Sequence, residues 1–185
     1  MKYEESLAKH LMNPDGYLYF RDSSIHSYLD GIARDAFARD QADGHMAALI
    51  IWHQLAEEIL RLLYSYSQLL IKAALYPTKL DEKGVGNESM GSLIQMHKQC
   101  VAYDRKSLII SHAGKINDLR NELFHGIIEH PTEDAIKEQA KSAKEYFDNL
   151  FKEWHEAMRW FYRRIDDIKK QPEISKLLQK YKQKG

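Results

Sequence analysis

From Ile136 to Ile168 one apolar residue recurs every three or four positions: Ile136, Ala140, Ala143, Phe147, Leu150, Trp154, Met158, Phe161, Ile165 and Ile168. A strand would need alternation by twos, so this spacing fits a long α-helix with a single apolar stripe, close to a heptad. Such a helix is roughly 50 Å long at about 1.5 Å per residue. It must lie along other helices, because one stripe cannot be hidden by itself. A core-facing stripe of a bundle accounts for most of these residues. The length also raises the expectation that part of the stripe overhangs and pairs with a second subunit. Thr132 can cap the helix start, acidic Glu133 and Asp134 suit its first turn, and Gln171-Pro172 ends it.

A second long helix is expected from about His45 to Leu75. Its apolar residues Ala48, Trp52, Leu55, Ile59, Leu62, Tyr66, Leu69 and Ala73 follow the helical step, with extra apolar flanks at Leu49, Ala56, Leu63 and Leu70. So wide an apolar surface predicts a central helix covered on more than one side. Ser23 or Ser24 can cap an earlier helix running to about Asp40, broken by Asp43-Gly44. Ser89 or Ser92 can start a short helix through Met96 to about Val101. Ser107 can start another that carries Ile109, Ile116, Leu119 and Leu123 inward and stops at Gly126. Residues 1–22 read as a polar, turn-rich extension with a turn at Asn13-Pro14-Asp15-Gly16, and 171–185 as a basic tail or a short helix over Ile174 to Tyr181. The expected fold class is all-α: an up-and-down bundle of four main helices over 23–170, with short additions and a long C-terminal helix.

Composition narrows the function classes. With 27 Lys and Arg against 27 Asp and Glu, the formal net charge is zero, which argues against a generally basic nucleic-acid binder. Contact with nucleic acid would have to be local. The single cysteine, Cys100, excludes an intramolecular disulfide and fits a reducing compartment. The most apolar window, Ala47 to Ile71, is interrupted by His53, Glu57, Glu58 and Arg61, so no membrane span is expected. The start, Met1-Lys2-Tyr3-Glu4-Glu5, lacks a signal peptide's apolar run, and a cytoplasmic location is the expectation.

Chemistry concentrates in Leu119-Arg120-Asn121-Glu122-Leu123-Phe124-His125-Gly126. Asn121 and His125 are one helical turn apart and share a face, with Arg120 next to them. A guanidinium keeps its charge and presents a planar fork of donors to phosphate oxygens. A histidine titrates near neutral pH and can carry a proton. The spacing alone is not specific: Arg21 and His26 repeat it, and Arg39 and His45 nearly do. With 9 histidines in the chain, roughly one such match is expected by chance. Arg21 and His26 straddle a predicted helix start, and Arg39 and His45 a predicted break. Only Arg120 and His125 lie on one amphipathic helix, with an adjacent amide and just before a glycine stop.

Arg120-Asn121-x-x-x-His125, late in an all-α domain and just before its last long helix, resembles the signature of the HEPN superfamily, the higher eukaryotes and prokaryotes nucleotide-binding domains. The motif covers six residues, and the helix order extends the resemblance to roughly residues 23–170. The resemblance implies a metal-independent endoribonuclease, without a cofactor, whose site is built from the motifs of two subunits in a symmetric dimer. It further implies a toxin–antitoxin or phage-defence setting, with RNA as substrate and an antitoxin or regulatory protein as a possible partner. Arg120, Asn121 and His125 would be the catalytic residues. One departure is visible: toxins paired with nucleotidyltransferase antitoxins often carry a tyrosine two residues after the histidine, and here Ile127 stands there. Two other readings share the architecture, a catalytically silent nucleotide- or protein-binding module and a structural helical dimer.

The chemistry of RNA cleavage suits these residue types. The 2′-hydroxyl is the nucleophile, so a base, an acid and a positive charge for the phosphorane-like transition state are sufficient. One histidine cannot readily be base and acid in one step, and a two-fold dimer would supply a second. Weaker constellations are His53 and Glu57 on the central helix, and His97-x-x-Cys100. Neither has a second pair nearby, so a solvated or core role is expected for both and no metal site is assigned. Arg120 could instead pair with Glu57, Glu58 or Asp118, and Asn117 extends its polar stripe toward a pocket or toward solvent.

Overall fold

In a computed structural model of the protein, residues 3–14, 24–80, 86, 88–126 and 132–183 are described. Among them the chain forms seven α-helices: α1 (Tyr3–Met12), α2 (Ser24–Ala38), α3 (Ala42–Leu75), α4 (Met90–Gln99), α5 (Lys106–Gly126), α6 (Glu133–Lys169) and α7 (Pro172–Lys182). No strand occurs among the described residues. The four longest helices, α2, α3, α5 and α6, make the bundle expected from periodicity. The helices α1, α4 and α7 are the short additions.

Helix α3 is the axis. It packs on α2, α5 and α6 and also touches α1 and α4. Its buried residues include Leu49, Trp52, Leu55, Ala56, Ile59, Leu60, Leu63, Tyr66, Leu69 and Leu70, which face several directions and so require several neighbours. Its N-terminal end runs close against α2. A Cβ on Gly44 would stand 2.3 Å from the carbonyl oxygen of Ala36, so only glycine permits this approach. Pro77 follows the last turn, and its ring cannot continue a helix.

Helix α6 starts where Thr132 Oγ1 accepts a hydrogen bond from the Ala135 amide at 3.2 Å. Its stripe is covered by the same chain. Ile136, Ala140, Ala143, Phe147, Leu150, Trp154, Phe161 and Ile165 are all buried, against α3 and α5. This corrects the expected overhang. The helix is long because α3 is long, and the two lie against each other over their apolar lengths. Within the stripe, Met158 and Ile168 are only half-buried, and Ala157 takes the buried place beside Met158. Arg34 of α2 adds a polar tie across the bundle, bonding Asp30 at 2.8 Å and Asp148 of α6 at 2.5 Å.

Residues 3–12 depart from the turn-rich extension expected. They form α1, with Leu7, Ala8 and Leu11 buried. Three apolar residues within one and a half turns suffice when a partner is ready. That partner is α7, whose Ile174 and Leu177 are buried, so the basic segment is a docked helix rather than a solvated tail. Of the expected turn at 13–16, residues 15 and 16 lie outside the described residues.

Candidate functional site

Residues Lys106–Gly126 form a helix because Ile109, Ala113, Ile116 and Leu123 recur on one face and pack into the core, with Leu119 half-buried among them. The flank beside this core face carries Asn117, Arg120, Asn121 and Phe124, where they meet α3 and the start of α4. Between these elements lies a cleft of about 500 Å³, lined by Ile50, His53, Gln54 and Glu57 of α3, by Ser89, Met90 and Gly91 at the start of α4, and by Asn117, Arg120, Asn121 and Phe124 of α5. A cleft of this size is within the range that takes a small organic ligand.

Arg120 donates to Asn121 Oδ1 at 3.2 Å, and its guanidinium carbon stands 4.3 Å from the centre of the Phe124 ring. The cation is therefore oriented by an amide and a ring. Among the described residues no carboxylate forms an ion pair with it. The expected alternative of pairing with Glu57, Glu58 or Asp118 is not what the side chains do. Glu57 and Glu58 are both engaged by Arg61, Glu58 at 2.8 Å, and Asp118 is exposed. Arg61 also donates to the Glu88 carbonyl at 2.6 Å, joining α3 to the segment that starts α4.

His125 is on the last turn of α5, exposed and outside the lining of the cleft. The structure thus brings Arg120 and Asn121 together in the cleft and leaves His125 one turn beyond, facing solvent. Ile127 lies outside the described residues.

Sequence reasoning missed His53 as a cleft residue. It is 9% exposed, with Nε2 3.4 Å from Asn117 Oδ1 and Nδ1 4.0 Å from Glu57 Oε2. Burial holds the imidazole below its ordinary value. The Asn117 bond and the Glu57 charge act upward, and Arg120 adds to the lowering. The sequence signal is partial: Asn117 and Arg120 share one helix face, and His53 and Glu57 share a face of the central helix, but only the registry of the packed helices brings those faces together. Asn117 accordingly faces the cleft, as one of its two expected positions.

The other weak constellation is a core element. His97 is fully buried, its Nε2 donates to the Leu60 carbonyl at 2.7 Å, and Nδ1 accepts from the Tyr103 hydroxyl at 3.0 Å. Among the described residues no group of three His, Cys, Asp or Glu side chains is placed to hold a metal ion. No described helix is long and apolar enough to cross a membrane. No family model, no characterised protein and no solved structure matches the chain.

Proposed function

We propose that the chain is a metal-independent endoribonuclease that cleaves RNA by attack of the 2′-hydroxyl, with Arg120, Asn121 and His125 in the site and a second copy of the chain completing it. The observation that carries this reading is the state of Arg120. It is held by Asn121 and Phe124, it has no carboxylate partner among the described residues, and it opens on a cleft one turn from an exposed histidine. An oriented, uncompensated guanidinium is suited to phosphate oxygens, whose charge it can balance in the transition state. The exposed position of His125 leaves it free to reach a substrate lying across the cleft mouth, or to meet its copy across a two-fold axis.

Cleavage of a single-stranded RNA is expected to persist in EDTA and to leave a 2′,3′-cyclic phosphate. His125→Ala should lower the rate by about 10²- to 10⁴-fold, the usual weight of a general acid or base, with an unchanged melting temperature and an unchanged solution mass. Activity that needs added magnesium would refute the mechanism, and a variant that unfolds or dissociates would make His125 structural. A binding module without catalysis is the second reading. It is favoured by one observation, that the amides and Arg120 line the cleft while His125 stands outside it.

A further inference from the structure

The cleft holds more polar equipment than the Arg-Asn-His motif explains. Four kinds of group converge on it. Arg120 brings a permanent charge, and Asn117 and Asn121 bring amides. His53 brings a buried imidazole whose two nitrogens both face oxygens, Asn117 Oδ1 and Glu57 Oε2. The start of α4 adds a wall at Met90 and Gly91, where first-turn amides lack helical acceptors and Gly91, having no side chain, leaves the backbone uncovered.

His53 is the unusual member. A neutral imidazole has one N–H, so it can donate to Asn117 and must then turn a lone pair toward the Glu57 carboxylate. An imidazolium can donate to Asn117 and still turn its second N–H toward the Glu57 carboxylate, 4.0 Å away. The geometry around the ring therefore suits the charged form, and what opposes it is burial and the neighbouring charge of Arg120. An anion entering the cleft would offset both. It would neutralise Arg120 and supply a counter-charge to the buried ring. The groups acting on His53 are Glu57 on α3 and Asn117 and Arg120 on α5. The α4 wall contributes only the uncharged Ser89, Met90 and Gly91. Glu57 does not close the cleft to anions, because Arg61 and Gln54 hold its two oxygens.

We propose that this cleft is a phosphate-binding subsite with one permanent cation, Arg120, and one inducible cation, His53, which takes up a proton as the phosphate binds. This rests on and deepens the ribonuclease reading, because it seats a phosphodiester of the RNA strand beside Arg120. It also provides a second proton carrier within one chain, in addition to His125. The bound proton comes from solvent, and no bond of the ligand is made or broken by the binding itself.

Two probes test it. Inorganic sulfate, whose charge is constant between pH 5 and 8, is titrated while the ring protons of the histidines are followed by NMR. The resonance that His53→Gln deletes should move its midpoint upward by about one pH unit with sulfate bound, and affinity should tighten by about tenfold in total as the pH is lowered through the two midpoints. His53→Gln should bind sulfate with no such pH dependence. Arg120→Ala should bind more weakly at every pH. A dinucleotide with a 2′-deoxy sugar at the 5′ position, which cannot be cleaved, should behave like sulfate but bind more tightly if a nucleotide unit is the natural ligand. Equal affinity would mark a site for free oxyanions instead and overturn the RNA assignment. An unmoved His53 midpoint, or pH dependence retained in His53→Gln, overturns the proposal whether or not RNA is cut. A shifted midpoint in a protein that cuts no RNA leaves the phosphate subsite standing and removes the ribonuclease reading.

Discussion

Acidification should loosen the cleft from behind, through His97. This residue is fully buried between α3 and the segment after α4, with both ring nitrogens engaged by Leu60 and Tyr103. Burial, its largest influence, holds its pKa at about 4, against an ordinary 6.5. The sign comes from linkage. The folded state keeps His97 neutral, so its contribution is fully present above pH 6.5 and is lost as pH falls toward 4, where the unfolded chain takes up a proton that the folded chain refuses. For these two values the loss at pH 5 is about 2 kcal/mol, approaching about 3 kcal/mol near pH 4. Urea unfolding of the wild type and of His97→Gln at pH 7.5 and pH 5 measures it. Glutamine can still donate to Leu60 and accept from Tyr103 but does not titrate. The variant should lose about 1–2 kcal/mol at pH 7.5 through poorer fit. Its further loss on going to pH 5 should be smaller than the wild type's by about 2 kcal/mol. Equal pH dependence in the two proteins would refute the reasoning. Because α4 forms one wall of the cleft, the same acid range should offset part of the tighter anion binding that His53 protonation brings.

Two glycines in helices should respond oppositely to alanine. Gly44→Ala places a methyl 2.3 Å from the Ala36 carbonyl, which is backbone and cannot step aside, so overpacking of about 1–3 kcal/mol or more should exceed the helix-propensity gain of about 1 kcal/mol. Gly114→Ala meets nothing within 4 Å and should stabilise by up to about 1 kcal/mol, with thermal melting reading both signs. Leu177→Ala empties a buried position under α1 and should cost about 2–4 kcal/mol by urea unfolding. A cost within error would mean that α7 is not docked in solution.

Periodicity carried most of the fold. The stripe of α6 and the broad apolar surface of α3 were visible because each spans many turns, and a long pattern leaves little room for another period. Thr132 and Ser89 worked as caps because their side chains reach the amides three positions on. Helix α1 was not legible, since Leu7, Ala8 and Leu11 make too short a pattern to stand out, and their partner lies at the other end of the chain. The candidate site was half legible. Arg120 and Asn121 could be paired from adjacency alone. His53 could not be joined to them, because the registry of α3 against α5 decides which turns meet, and no local pattern encodes it. The length of α6 suggests an overhang, but length says nothing about how far its neighbour extends.

The meeting of α1 and α7 fixes an order of events. Glu4 and Lys180, 176 positions apart, bond at 2.9 Å, and Tyr3 reaches the Thr78 carbonyl at 3.4 Å. Closing so large a loop in an unfolded chain would cost about 4–5 kcal/mol in entropy beyond a constant term, far more than an exposed ion pair returns. The contact becomes favourable only after the central bundle has shortened the distance between the two helices. It should therefore form last in folding and open first under strain, and a fluorescent pair placed on α1 and α7 would time completion of the whole domain rather than growth of any one helix.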